Sequence, residues 1–440
     1  MRNHVIPSRP HVQGSAAPLR LRHSAGELTD GAGLLLLRRA WDALGIGGWL
    51  DAKTAGQSGR YRASLMVELW VALLLYGGGW MDDLKLFSNR GIRRLFGWRS
   101  VPDPTTFGRW LRRGGPVLVP LLDELVWRVV QLRWQAVGVP RRLTLLLDST
   151  VSVRYGAKQA GAEVGYNPKK PGRPSHHPLL AFAAESGDCL GVRWRAGSAH
   201  TAEGAAEWIR ALVHRLRGAG VEKIALRLDK GFFSKEMVST LEELDVTYYL
   251  KVTNWAWVRA ALGPARRSSK DLELWTRSGT LYGARLLSVE RRRKVTDDLG
   301  LEHWETTDRS HVLTNVKGVH ALTAWRRYNA GAVVEDRIKE LGELGVGRTA
   351  VDDLAGNALL WSLGALAYEL LHVVRTTALQ GSWKRAQPGR LRSWLFRLPA
   401  KLTVHARKHY VQLRREEPLR RDFLRALRRL DRLRAPPLAA

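Results

Sequence analysis

Cysteine is nearly missing from this chain: Cys189 is the single one in 440 residues. One thiol excludes an internal disulfide and a cysteine-based zinc site, and it is compatible with a reducing cytoplasm. Negative charge is also scarce. Only 41 Asp+Glu stand against 71 Lys+Arg, a formal net charge of +30. The excess runs along the whole chain, which calls for a polyanionic partner, and nucleic acid is the default. No apolar h-region opens the sequence; MRNHVIPSRPHVQGSAAP reads as part of a flexible basic arm over residues 1–25, not as a signal peptide. No clean membrane span is visible either. The most apolar stretch, LAGNALLWSLGALAYELLHVV (354–374), carries Asn357, Glu369 and His372 and is expected to be a buried helix. Internal repeats and long low-complexity tracts are absent.

What is present divides into regions. Residues 26–135 show apolar residues at three- and four-residue spacing, as in LMVELWVALLLYGG, and predict a helical domain. Within it VPDPTTFGRWLRR offers a helix start, Asp103 as N-cap and Pro104 in the first turn, followed by Arg109, Arg112 and Arg113. That basic helix is a candidate DNA reader. From 141 to 252 the pattern changes to strand-like runs at 143–150, 178–185 and 190–196, a helix at 201–218, then alternating strand and helix, which predicts a mixed α/β sheet. Residues 253–310 break that alternation with short strand-like pieces and read as a β-rich insertion. HVLTN resumes a strand, a long helix begins at ALTAWRRYNAGAVVEDRIKELGEL, and 311–380 completes the α/β domain. The rest, 381–440, is expected to be helical and very Arg-rich.

Two strands end alike. LTLLLDST (143–150) runs into Asp148, and KIALRLD (223–229) ends on Asp229. A carboxylate at the end of a buried strand is costly unless something positive meets it, and two such ends point to a shared cation. A third ligand is sought on the helix after the insertion among Glu335, Asp336, Glu340 and Glu343. Spacing puts Tyr328, Gly331, Ala332, Glu335 and Lys339 on one face there. Such carboxylates suit Mg²⁺, which keeps water and substrate phosphate in its remaining positions. The loop YNPKKPGRPSHHP fixes Lys169, Lys170, Arg173 and the pair His176 and His177 just after the first of these strands, as suits a phosphate backbone. Zinc at the two histidines is disfavoured, since no further Cys or His has ligand spacing. The tryptophans Trp255, Trp257, Trp275 and Trp304 read mostly as a small core for the insertion.

The order strand-Asp, strand-Asp, insertion, helix-Glu resembles the RNase H-like DDE transposases of bacterial insertion sequences. More narrowly, it is similar to the branch named DDE group 1, with a β-rich insertion before the final Glu. LDST (147–150), YNPKKPGRPSHHPLLAF (166–182), LDKGFF (228–233) and YNAGAVVEDRIKEL (328–341) carry the likeness, in that order, within roughly 20–430. The resemblance implies an RNase H-like mixed sheet flanked by helices. It implies Asp148, Asp229 and Glu335 as catalytic, metal-binding triad, with two Mg²⁺ ions (Mn²⁺ as substitute) as cofactor. Tyr328 matches the tyrosine of the family's Tyr-Arg-Glu-Lys helix signature. The expected arginine is Gly331 and the expected lysine Gly342, leaving Lys339 one turn nearer. Related transposases hold a flipped base on an aromatic of the insertion, a role for which Trp304 is the candidate. Implied partners are double-stranded DNA, as transposon ends and target, and a second copy of the chain in a homodimer. The implied setting is the bacterial cytoplasm, at the nucleoid. Two rivals stay open on the residues alone: an RNase H-like nuclease that cuts without joining, and a catalytically weak or inactive DNA-binding descendant of a transposase.

Overall fold

The computed structural model describes residues 27–433, apart from 57, 58, 157, 269, 270, 272, 299, 300 and 407; the basic arm expected over 1–25 lies outside the described residues. The chain opens with β1 (Glu27–Thr29) and five helices, α1 (Leu35–Ala43), α2 (Ile46–Lys53), α3 (Ala63–Tyr76), α4 (Arg90–Phe96) and α5 (Pro104–Val137). The start of α5 is the one its sequence predicts: the Asp103 side chain accepts from the Thr106 amide at 2.8 Å, with Pro104 in the first turn. After it come β2 (Arg142–Ser149), the short β3 (Ser152–Val153) and β4 (Ser175–His176), β5 (Leu179–Ala183) and β6 (Cys189–Arg193). Then follow α6 (Ala205–Gly218), β7 (Lys223–Leu228), α7 (Lys235–Glu243) and β8 (Thr247–Val252). The segment read as an insertion holds α8 (Ala256–Ala260), β9 (Arg266–Arg267), β10 (Leu274–Leu281), β11 (Ala284–Thr296) and β12 (Glu302–Thr314). The chain ends with α9 (Ala321–Asn329), α10 (Val333–Glu343), α11 (Leu354–Val373), α12 (Pro388–Leu391), β13 (Ala400–His405), β14 (Lys408–Gln412) and α13 (Arg420–Arg432).

A nine-stranded sheet in the order β6-β5-β2-β7-β8-β12-β11-β10-β9 runs through the middle. β2 pairs antiparallel with β5, and β5 antiparallel with β6, while β7 and β8 run parallel to β2. This is the RNase H-like core the sequence leads one to expect. Covering on both faces explains why β2 is almost uninterrupted leucine. Leu143, Leu145 and Leu147 join Leu226, Leu228 and Leu250 in the core under α6 and α7. Leu146, Asp148, Arg227 and Asp229 therefore belong to the opposite face by strand alternation, and α9 and α10 lie over that side.

Three sequence expectations change. The insertion itself is β-rich, with strands that continue the central sheet, β12 being joined to β8 from His311 to Leu313. Its tryptophans form no buried core; Trp255 and Trp257 are 45% and 47% exposed. The single long helix expected from 321 is broken by a 3₁₀ turn at Ala330–Ala332, around Gly331, a residue that weakens a helix interior. The last stretch is not helical throughout, since β13 and β14 form a hairpin that adds to β1. The alternation in KLTVH and KHYVQ is a strand period that the arginine count conceals.

The apolar helix α11 is buried in the core, packed with α3 and α5 in one cluster that also takes in α1, α13 and the β5–β6 side of the sheet. By length and composition the segment Leu354–Ala378 could cross a membrane, but 83% of its apolar window is buried inside the protein. Gly115 permits the close crossing of α5 and α11, because a Cβ there would lie 2.6 Å from the Ala355 carbonyl carbon.

Candidate active site

The ends of β2 and β7 are neighbours, since Leu146 pairs with Arg227 in parallel register. Two residues on, Asp148 is the penultimate residue of β2, and Asp229 follows β7 as the cap of a 3₁₀ turn, accepting from the Gly231 amide at 2.7 Å. Glu335 stands in the first turn of α10. Asp148, Asp229, Glu335 and Tyr328 line one cavity of about 310 Å³, together with Leu146, Arg227, Ala332 and Gly331. Three carboxylates from three separate elements are thereby brought together, with the tyrosine of α9 beside them.

Electrostatics tie them further. Burial pushes the Asp148 carboxyl up to about 7, the nearby Asp229 and Glu335 add to the rise, and the Ser149 amide donating at 2.8 Å opposes it. The Tyr328 hydroxyl is raised by burial first, then by Asp229, Asp148 and Glu335. Among the described residues no lysine or arginine forms an ion pair with Asp148, Asp229 or Glu335. Unpaired oxygen donors that repel one another are the donor set a hard divalent cation takes. As placed, they do not enclose an ion: among the described residues no three His, Cys, Asp or Glu side chains converge on one metal position.

The other residues singled out in the sequence fall elsewhere. Lys339 pairs with Asp336 at 3.2 Å on the surface of α10. Lys169, Lys170 and Arg173 are exposed on the excursion between β2 and β5, which the Thr150 amide anchors to the Pro178 carbonyl at 3.0 Å. Lys170 bonds the Tyr155 hydroxyl, and Arg173 lies 6.0 Å from the same ring. His177 is 3% exposed, its Nδ1 bonds the Ala199 carbonyl at 2.9 Å, and burial lowers its pKa, so it braces the loop. His176 is likewise buried, against Trp194 and the Ala160 carbonyl.

Arg109 is exposed on α5, while Arg112 pairs with Asp352 at 2.5 Å. Arg112 borders a groove of about 840 Å³ shared with Tyr155 and Lys158, so the start of α5 and the basic loop meet there, apart from the carboxylate cavity. Trp304 sits on the outer part of the β11–β12 hairpin, edge-on to Trp275 and under Arg267. Since β12 meets the last residue of β8 only at His311, this part of the hairpin projects past the carboxylate-bearing end of the sheet.

Two features escaped sequence reading. One is Arg227, two residues before Asp229, whose place in the cavity follows only from strand alternation combined with the position of α10. The other is an exposed aromatic cluster of Phe233, Trp255, Trp257 and Tyr282, with Trp255 and Trp257 stacked at 5.6 Å. Its signal was the density of aromatics just after the second Asp and after β8.

α10 is held from behind. Glu340, on its buried side, accepts from Arg337 at 2.9 Å and from Arg375 at 3.2 Å.

A sequence search among curated proteins finds no match. Among solved structures the chain is similar to a piggyBac transposase, in a synaptic complex with hairpin DNA solved by cryo-electron microscopy. The identity is 13%, the TM-score 0.43, and the match covers 83% of this chain and 80% of that one. A family model described as transposase DDE domain group 1 matches residues 12–435, nearly the whole chain, and the protein belongs to that family.

Proposed function

We propose that the protein is a transposase that binds the terminal inverted repeats of its element, cleaves DNA and joins the freed 3′-OH to a target. The observation that carries this reading is the meeting of Asp148, Asp229 and Glu335 in one cavity, with no ion pair to a lysine or arginine among the described residues, on a chain of net charge +30. Asp148, Asp229 and Glu335 are the residues that would hold Mg²⁺ or Mn²⁺, as two ions. Bound there, the ions supply activation of the attacking oxygen and stabilisation of the leaving one.

The protein's own part is placement. β2 and β7 carry the two aspartates on a rigid sheet, and the Ser149 and Gly231 amides fix their carboxylates. α10 brings Glu335 against them, and Tyr328 fills the wall between α9 and the sheet. The exposed cations Lys169, Lys170, Arg173, Arg109 and Lys339 meet the DNA backbone, which orients the strand without reading sequence. Arg112 joins them by exchanging Asp352 for a phosphate. No side-chain nucleophile is required, since water and the DNA 3′-OH are the attacking groups. Two copies, each holding one end, make the joining concerted. Trp304 on the projecting hairpin, or the exposed pair Trp255 and Trp257, supplies a stacking surface for an unpaired base.

The test is a joining assay with a precut terminal-repeat duplex and a supercoiled target in Mg²⁺ or Mn²⁺. Joined products support the transposase reading. Cleavage without joining would favour a nuclease, and binding without either would favour an inactive descendant.

A further inference from the structure

The carboxylate cavity is also lined by a guanidinium, that of Arg227, which burial disfavours and which the Glu185 carboxylate only partly offsets. Arg227 precedes Asp229 by two positions on β7, so alternation sends both to the face under α9 and α10. It is half-buried, and its Nη1 donates to the Ala330 carbonyl at 3.0 Å. Its Nε is buried with no hydrogen-bond partner, and among the described residues it makes no ion pair. A desolvated cation left in that condition is costly in the free protein, and an anion arriving in the cavity would relieve the cost.

Gly331 leaves room for this placement. A Cβ at Gly331 would stand 3.2 Å from Cδ and 3.5 Å from Cβ of Arg227, and 3.8 Å from Leu146. Any larger side chain there would press on the stem of Arg227. The helix position that the resemblance expects to carry an arginine is thus the one packed against the Arg227 stem, which would have to give by a few tenths of an ångström to a Cβ there.

We propose that Arg227 is the anion-binding side chain of this cavity, taking a backbone phosphate of the DNA end from β7. The inference rests on the transposase reading. A guanidinium suits the task because its planar fork can give two parallel hydrogen bonds to phosphate oxygens. The carbonyl of Ala330 holds the fork at the junction of α9 and α10, the segment that also carries Tyr328 and leads into Glu335. A rival role, in which Arg227 only staples that junction to the sheet, makes a different prediction.

The experiment measures binding of a precut terminal-repeat duplex in Ca²⁺, with single neutral methylphosphonates placed in turn at the scissile and neighbouring positions. Wild-type protein should lose at least tenfold in affinity at one position. Arg227→Ala should bind unmodified DNA at least tenfold more weakly and become insensitive to the methylphosphonate at that position alone, keeping its response elsewhere. Arg227→Lys, which keeps the charge and the stem, should recover part of both and guards against a folding defect in the alanine variant. Arg227→Ala combined with Gly331→Arg should also recover binding, since the guanidinium then comes from the helix. If Arg227→Ala keeps the wild-type pattern of methylphosphonate sensitivity, Arg227 is a staple and the inference is overturned. A wild-type protein that neither binds nor joins DNA ends would bring down the transposase reading itself, whereas one that joins ends while Arg227 variants behave as wild type overturns this inference alone.

Discussion

Asp148 keeps its proton to about pH 7 because it is buried beside two other carboxylates with only a backbone amide to offset them. The consequence for stability has a definite sign. An ordinary Asp titrates near ~3.9, so between about pH 4 and pH 7 the folded protein holds this proton and the unfolded chain does not. Stability from this residue therefore falls as pH rises through that window. In chelator, Asp148→Asn should raise the unfolding midpoint at pH 8 by about 2–4 °C, and by less at pH 5. Adding Mg²⁺ at pH 8 should stabilise the wild type and not the variant, because a ligand bound only to the folded state shifts the equilibrium by mass action. Equal midpoint shifts at both pH values would remove the like-charge account of the site. At this scale Asp148 and Asp229 were legible, since an acidic residue closing an apolar strand is conspicuous. Arg227 and the burial of His177 were not. Both depend on which residues approach from distant parts of the chain, and local pattern carries no such information.

Among the elements, α10 carries the argument. Glu335 faces the cavity only if the helix keeps its rotation and height, and the buried pair of Glu340 with Arg375 sets both. Arg375 is 3% exposed, so Arg375→Leu leaves the Glu340 carboxylate buried with less compensation. The expected loss is about 3 kcal/mol in urea unfolding, and cleavage should fall with it although Arg375 is not among the residues lining the cavity. A loss under about 0.5 kcal/mol, the scale of a surface pair, would mean that the network does not hold the helix. On the outer side of the same helix, Lys339 is free to exchange Asp336 for a phosphate. Lys339→Ala should leave stability within about 0.5 kcal/mol and slow single-turnover joining at least tenfold; unchanged joining would confine it to its surface pair. The strands of the central sheet could be placed from sequence because their hydrophobic runs have the length and the flanking turns of strands. The break at Gly331 and the hairpin of β13 and β14 were hidden, one inside a continuous helical period and the other inside an Arg-rich composition.

For the whole molecule, charge and topology answer different questions. The order of strands and helices along the sequence was enough to expect a mixed sheet, because consecutive elements usually neighbour one another in space. That the N-terminal helices, α11 and α13 share one core was not readable, since it is made of contacts between residues hundreds of positions apart. The net charge of +30 bears on association. Affinity for DNA should fall linearly on a log–log salt plot with a steep slope, about 0.9 per phosphate neutralised, and a slope near zero would leave the charge without its partner. The most direct test of the central claim is single-turnover cleavage of a terminal-repeat duplex in Mg²⁺ by Asp148→Asn, Asp229→Asn and Glu335→Gln, beside Asp336→Asn as a control on the same helix. Each of the first three should lose cleavage by at least a thousandfold (about 4 kcal/mol at the transition state) while binding DNA as the wild type does, with Asp336→Asn close to wild type. Cleavage retained by Glu335→Gln and lost by Asp336→Asn would contradict the account, because the carboxylate that matters would then lie outside the cavity.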